Sequence, residues 1–151
     1  MKTPEPLAAL VKGLHHVAIV VPSIEAARAT YVDVLGLSAG AVEHVADQDV
    51  NVLVCWAGEQ RIELVEPASP RSSVSRFLEA RGGGLHHVAW LVDDVAAALG
   101  VLKAAGVRLI DEAPRPGAHG TRIAFLHPKA TGGVLAELVE VPEAASQETQ
   151  P

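Results

Sequence analysis

Along residues 14–21 the side chains divide by parity, with bulky Val17, Ile19 and Val21 on one side of an extended chain and His16, Ala18 and Val20 on the other. A period of two predicts a strand with one bulky face, suited to packing on a helix. That helix is predicted over 23–35, where Ser23 can cap and Ile24, Ala27, Tyr31, Val34 and Leu35 form an apolar stripe. Three β-like stretches follow, near 39–45, 50–56 and 60–66. The order then recurs: a strand over 85–92, a helix over 94–105 with Val95, Ala98, Leu99 and Leu102 on one side, and strands near 107–110, 121–127 and 134–140. Between the two runs, Pro67 and Pro70 bound a turn, 72–81 reads as a short connecting helix, and Gly82–Gly84 form a flexible joint.

The recurrence extends to the residues themselves. Leu14-His15-His16-Val17-Ala18 returns as Leu85-His86-His87-Val88-Ala89, 71 residues later. Glu63-Leu64-Val65-Glu66-Pro67 has a looser echo 74 residues later in Glu137-Leu138-Val139-Glu140-Val141-Pro142. His16 to Gly36 spans 20 residues and His87 to Gly106 spans 19. Duplication explains both landmarks and their spacing. The expected fold is α+β: two tandem βαβββ units forming a curved mixed sheet with a cup on its open face. Its expected organisation is an N-terminal extension (1–13), one domain (14–142; repeats 14–67 and 84–142 joined by the 72–81 helix) and a frayed tail (143–151).

Parity says what faces the cup. Ile62 and Leu64 point away from Glu63, and Val134, Ala136 and Leu138 point away from Glu137. In the second His strand Val88, Trp90 and Val92 are the bulky set, which leaves His87 beside small Ala89. Each repeat therefore offers one His and one Glu on the face opposite its helix. Pseudo-symmetry then brings His16, Glu63, His87 and Glu137 together as ligands of one divalent ion, of the Co²⁺, Mn²⁺, Ni²⁺ or Zn²⁺ type. Four protein ligands leave two octahedral positions open, an arrangement suited to Lewis-acid chemistry beside a carbonyl. A single His or Glu on a strand is more often an ordinary polar surface residue; the repeated pair carries the reading. His15 and His86 share parity with the helix-packed face and are expected to be partly exposed or to support the ligands.

Composition narrows the partners. A net charge of −6 argues against nucleic acid, which would require a basic stripe. The apolar fraction of 49% supports a sizeable core, and with aromatics at only 3% that core must be aliphatic. Cys55 is the sole cysteine, so no intrachain disulfide forms and a reducing, cytoplasmic setting is expected. Flanked by Val54 and Trp56, it reads as packed, not nucleophilic. The apolar run 7–11 is too short for a membrane span or signal segment, and no membrane partner is expected.

The segments Ala113-Pro114-Arg115-Pro116-Gly117-Ala118-His119-Gly120, Phe125-Leu126-His127-Pro128-Lys129 and Thr131-Gly132-Gly133-Val134-Leu135 carry a family likeness, together with Gly84–Ala89 and Arg76-Phe77-Leu78. From Leu14 to Val141 the sequence resembles the methylmalonyl-CoA epimerases of the vicinal oxygen chelate superfamily, to which glyoxalase I also belongs. The resemblance implies a cobalt-type site with His16, His87 and Glu137 at ligand positions. At the position of Glu63 the family has either Gln or Glu; Glu makes the ligand set like that of glyoxalase I. It also implies a homodimer acting on an acyl-CoA. The (R) and (S) forms of methylmalonyl-CoA would interconvert by α-proton abstraction, through a metal-stabilised enolate, and reprotonation on the opposite face. One acid/base in the family comes from a Glu-Gln-Gly-Val loop, which here reads Asp47-Gln48-Asp49-Val50. Asp47 would take that role one methylene short, and Glu137 the other; without the likeness Asp47 reads as a solvated turn residue. Ser72, Arg76, Arg115, His119, Lys129 and Thr131 are candidate contacts for the substrate carboxylate or CoA phosphates, though each taken singly reads as a surface residue. Alternatives are a glyoxalase-type isomerase and a metal-free binding module of the same fold. Ring-cleaving oxygenation ranks below them, because Glu63 occupies a coordination position that oxygen needs.

Overall fold

The computed structural model describes residues 10–143. These divide into two compact units, one of residues 16–86 and the other of 87–143 together with 10–15.

The first unit takes β1 (Val11–Val20) from His16 onward; the strand begins three residues ahead of the expected start, so 11–13 are strand and not extension. Helix α1 (Ile24–Arg28) follows, with the Ser23 hydroxyl accepting from Ala26 N–H at 3.2 Å. The α-helix predicted to run to Leu35 stops at Arg28 and continues as a six-residue π-helix, Ala29–Val34. Thr30, Val32 and Val34 are β-branched and disfavour tight α turns, and the wider turn closes with Leu35 N–H on Thr30 C=O at 2.8 Å. The strand expected over 39–45 is two pieces, β2 (Ser38–Ala39) and β3 (Glu43–Val45), both paired antiparallel to β4 (Val50–Ala57). The break falls at Gly40, whose N–H bonds Val54 C=O. β5 (Gln60–Pro67) returns antiparallel to β4 and parallel to β1, giving the order β2-β4-β5-β1.

Helix α2 (Ser73–Arg81) ends at Gly82, and Gly82, Gly83 and Gly84 all have positive φ. At Gly83 a side chain is sterically excluded as well, since a Cβ there would stand 2.8 Å from the Val20 carbonyl oxygen.

The second unit contains β6 (Gly84–Val92) from His87 onward, α3 (Val95–Ala104), β7 (Arg115–Pro116), β8 (Arg122–Leu126) and β9 (Ala136–Glu140), in the order β6-β9-β8-β7. The strand expected at 107–110 does not form; Leu109 makes a single bridge to Leu126. The short β7, which the sequence did not suggest, takes the edge beside β8. The expected frayed tail lies outside the described residues except for Glu143, as do residues 1–9 of the expected extension.

In both units the sheet buries its two faces differently. In the first, Val21, Leu53, Cys55 and Leu64, with Ile19 and Ile62, pack on Ile24, Ala27 and Tyr31 of the helix segment. In the second, Val92, Ala124, Leu126, Ala136 and Leu138 pack on Val95, Ala98 and Leu99 of α3. The repeated Glu-Leu-Val-Glu motif links the faces. Its second Glu points towards the helix: Glu66 accepts from Ile24 N–H at 2.8 Å, and Glu140 accepts from Val95 N–H at 2.9 Å. Each carboxylate satisfies the first amide of its helix, where the helix dipole also favours negative charge.

Candidate functional site

The first Glu of each motif has the opposite parity, and the two units repeat one local arrangement. In the first, Ala18 of β1 pairs in register with Glu63 of β5, and His16 lies two residues earlier on the same face. In the second, Ala89 of β6 pairs with Glu137 of β9, again with the His two residues earlier, at His87. Both alanines are fully buried, and their small side chains leave room for the neighbouring His and Glu.

His16 Nδ1 stands 2.8 Å from a Glu63 carboxylate oxygen, and His87 Nε2 stands 3.5 Å from one of Glu137. The four residues are only 4–8% exposed. Ionised carboxylates are costly to bury without positive charge nearby. The spacing also suits metal binding. Two ligand atoms with bonds of roughly 2.0–2.2 Å to a divalent ion stand about 3 Å apart at a right angle and about 3.5 Å apart at a tetrahedral one. Each pair therefore has donor types and separations that fit adjacent ligand positions. The His87 ring is braced edge-on by Phe125 at 5.3 Å, and Phe125 is itself the β8 partner of Glu137.

His86 and His15, which precede the two candidate ligands, are less buried than they are. His86 is half-buried with its ring edge-on to Phe77 at 5.0 Å, and burial lowers its pKa, favouring the neutral imidazole. His15 is half-buried on β1.

Asp47 is exposed on a short 3₁₀ turn, Ala46–Gln48, that leads into β4. Asp49, where the family pattern has Gly, adopts the left-handed conformation itself, with φ 54°. Its carboxylate accepts from the Ser69 hydroxyl and its carbonyl from Ala68 N–H at 3.0 Å. Asp tolerates this conformation better than most residues.

The candidate substrate contacts fall into distinct settings. Ser72 is 2% exposed at the N-cap of α2, and its hydroxyl has no hydrogen-bond partner among the described residues. Arg76 is exposed on the same helix, and Lys129 is exposed in the turn after β8. The Thr131 hydroxyl bonds the carbonyls of Pro128 and Val134, which closes its own loop. Arg115 and His119 lie in the β7–β8 hairpin, where His119 takes φ 58° between Gly117 and Gly120. Arg115 shares the sheet face of Ile123, its pairing partner, and therefore of Phe125.

The sequence reading missed Asp111. One oxygen of this carboxylate accepts from Phe125 N–H at 2.8 Å and the other stands 3.4 Å from the Arg115 guanidinium. It thus anchors both Arg115 and the strand carrying the aromatic brace of His87. Phe125 lies 14 residues away in sequence, and Arg115, four residues on, is outside any helix whose periodicity would have signalled the pair. Also missed was the cross-strand pair Trp56–Arg61, with the guanidinium 4.6 Å from the centre of the indole. The two-residue step from Arg61 to Glu63 was a usable signal.

Two βαβββ units, each with a buried imidazole–carboxylate pair on the sheet face away from its helix, define a protein of the vicinal oxygen chelate class. Residues 15–125 match the family model described as the Glyoxalase/Bleomycin resistance protein/Dioxygenase superfamily. The chain is 41% identical over 134 residues to the ethylmalonyl-CoA/methylmalonyl-CoA epimerase of Cereibacter sphaeroides, covering 87% of this chain and 100% of that relative. It superposes on the crystal structure of methylmalonyl-CoA epimerase from Mycobacterium tuberculosis with a TM-score of 0.85, at 36% identity and 97% coverage of both chains. A variant of the Streptomyces coelicolor methylmalonyl-CoA epimerase, solved in complex with 2-nitronate-propionyl-CoA, gives a TM-score of 0.80 at 32% identity, covering 86% of this chain and 97% of that one. The chain belongs to the methylmalonyl-CoA epimerase family, a family of racemase and epimerase enzymes.

Proposed function

We propose that this enzyme interconverts the (R) and (S) forms of methylmalonyl-CoA, with His16, Glu63, His87 and Glu137 jointly holding one divalent cation, Co²⁺ foremost. The observation that carries the reading is the repeated register, in which a His lies two residues before an Ala paired with a Glu in both units. Both His–Glu pairs are buried and consist of donors that bind such ions. Supporting the choice of substrate are the relatives named for this activity and the solved family member carrying an acyl-CoA analogue. When bound, the cation supplies Lewis-acid stabilisation of the negative charge that develops on the thioester carbonyl oxygen.

The remaining chemistry belongs to the protein. One of the carboxylates Asp47 and Glu137 takes the α-proton, and the other, as its acid, returns a proton to the opposite face. One turnover leaves the two groups with exchanged protonation states, and the reverse turnover restores them. Arg115 and His119 in the hairpin, with Arg76, Lys129, Thr131 and Ser72, are assigned to the anionic groups and pantetheine arm of the substrate. Because Ser72 is buried and Thr131 is engaged in its own loop, those two are best suited to shaping the contact surface.

The decisive experiment is exchange of the α-proton of methylmalonyl-CoA into deuterated solvent, with and without added Co²⁺. Metal-stimulated exchange with loss of stereochemical purity is expected. Absence of exchange in metal-loaded protein would refute the assignment. Glu63, in a position where Gln is the family's other choice, favours glyoxalase-type isomerisation as the second reading. Conversion of a methylglyoxal–thiol adduct, without exchange in methylmalonyl-CoA, would establish it instead.

A further inference from the structure

The strand that carries Glu63 places an arginine one step away on the same face. Ile62 and Leu64 pack towards α1, so Arg61, with the parity of Glu63, lies on the opposite face. Trp56 pairs with Arg61 across the β4–β5 hairpin, and Val54, which shares the parity of Trp56, pairs with Glu63. Leu53 and Cys55, which alternate with Val54 and Trp56 along β4, pack with the helix segment. Arg61, Trp56, Glu63 and His16 therefore occupy one face of the first unit. The guanidinium lies 4.6 Å from the indole centre, close enough for a cation–π contact that holds its plane. The guanidinium carries its donors in a planar fork, the geometry that matches a carboxylate in bidentate pairing.

Two further observations separate this arginine from hairpin decoration. The register equivalent of Arg61 in the second unit, two residues before Glu137, is Leu135, a half-buried apolar residue packed with Ile123, Phe125 and Val139. The repeated architecture therefore does not demand a cation there, and the two otherwise matched faces differ in charge. Glu63 also adds a buried negative charge beside His16, in a chain whose net charge is already −6. Beyond the proposed ion, Arg61 adds a second positive charge on this same face, with its Cα about 6.8 Å from that of Glu63 by strand geometry.

We infer that Arg61, held on Trp56, recognises the free carboxylate of the substrate and makes the enzyme select 2-carboxyacyl (malonyl-type) thioesters over neutral acyl thioesters. This rests on the acyl-CoA reading above and names the part of the substrate that is read by charge.

The test compares binding of malonyl-CoA and propionyl-CoA by calorimetry in wild-type metal-loaded protein and in the variants Arg61→Gln, Arg61→Met and Arg61→Lys. Arg61→Met keeps an apolar stem, as Leu135 does in the second unit, and covers the case in which Arg61→Gln does not fold. Wild-type protein is expected to prefer malonyl-CoA by tenfold or more, on the order of one charge-assisted hydrogen-bonded pair. Gln and Met should bring the ratio near one while propionyl-CoA affinity stays within about twofold, and Lys should restore part of the preference. In the exchange assay, KM for methylmalonyl-CoA should rise roughly tenfold or more, with kcat changed far less. A merely structural role would weaken both ligands alike, and that result, or an unchanged ratio in the Gln and Met variants, overturns the inference. If wild-type protein binds both thioesters but does not exchange the α-proton, the epimerase assignment fails while the charge preference still reports on Arg61.

Discussion

At the scale of single residues, Asp47 and Glu137 carry the same functional group in opposite surroundings. Glu137 is 4% exposed beside His87, whereas Asp47 is exposed on a turn. On the proposed roles, Glu137→Ala loses bound metal and turnover together. Asp47→Ala keeps one bound ion per chain and loses turnover by roughly two to four orders of magnitude. Elemental analysis alongside the exchange assay separates the two, and full activity in Asp47→Ala removes that residue from the mechanism. Cys55 shows how burial alone silences a reactive group. It is fully buried, and burial raises its thiol pKa despite the opposing influence of Arg28. A raised pKa means that the fold favours the neutral thiol, so this stabilisation is present below the ordinary thiol range and is lost as pH rises above it. Native protein is accordingly expected to resist a thiol-specific disulfide reagent at pH 8 and to react fully once denatured. Fast stoichiometric labelling of the native state would contradict that environment.

At the scale of elements, the two Glu-Leu-Val-Glu motifs each join a site to a helix. Alternation turns the first Glu to the face bearing the His, and the second, three residues on, to the helix N-terminus. Glu66→Ala and Glu140→Ala each remove a charge-assisted bond to a helix amide and leave that donor without its present partner. A loss of roughly 1.5–3 kcal/mol is expected for each, measurable as a lowered denaturation midpoint. Glu66→Gln and Glu140→Gln should lose less, because the amide oxygen can still accept the bond. Equal stability of the Ala variants and wild type would show that these contacts contribute nothing net. The π-helix of Ala29–Val34 is set at the same scale, where β-branched residues at alternate positions oppose a regular α turn.

At the scale of the whole molecule, metal stoichiometry is the most informative quantity. On the proposed ligand set, four ligands drawn equally from the repeats would bind one ion per chain, whereas two independent His–Glu pairs would bind up to two. Titration of metal-free protein with Co²⁺ is expected to saturate at one, and Glu63→Gln and Glu137→Gln should each weaken that same ion. Two ions per chain would break the shared ligand set. Metal that binds only the folded chain also raises stability, by about 2.7 kcal/mol at a free concentration one hundred times Kd. A chelator is therefore expected to lower the melting temperature and abolish exchange, and added Co²⁺ to restore both.

The duplication, the facing of His16, Glu63, His87 and Glu137 in their strands, and the capping by Ser23 follow from the order of residues, because strand parity and helix caps are local rules. The family of enzymes could likewise be read from the hairpin and His-His segments. Other features depended on tertiary contacts or on strand register. Glu66 reaches Ile24 and Glu140 reaches Val95, 42 and 45 residues apart in sequence. Asp111 is matched to Phe125, and Arg61 to Trp56 across a hairpin whose register had to be known. The missing strand at 107–110 and the edge strand at Arg115–Pro116 belong here as well, since sheet pairing is decided by which edge is available and not by the apolar content of the segment. Local chemistry thus determined which residues could act, and tertiary pairing determined which of them are braced, charged or capped to do so.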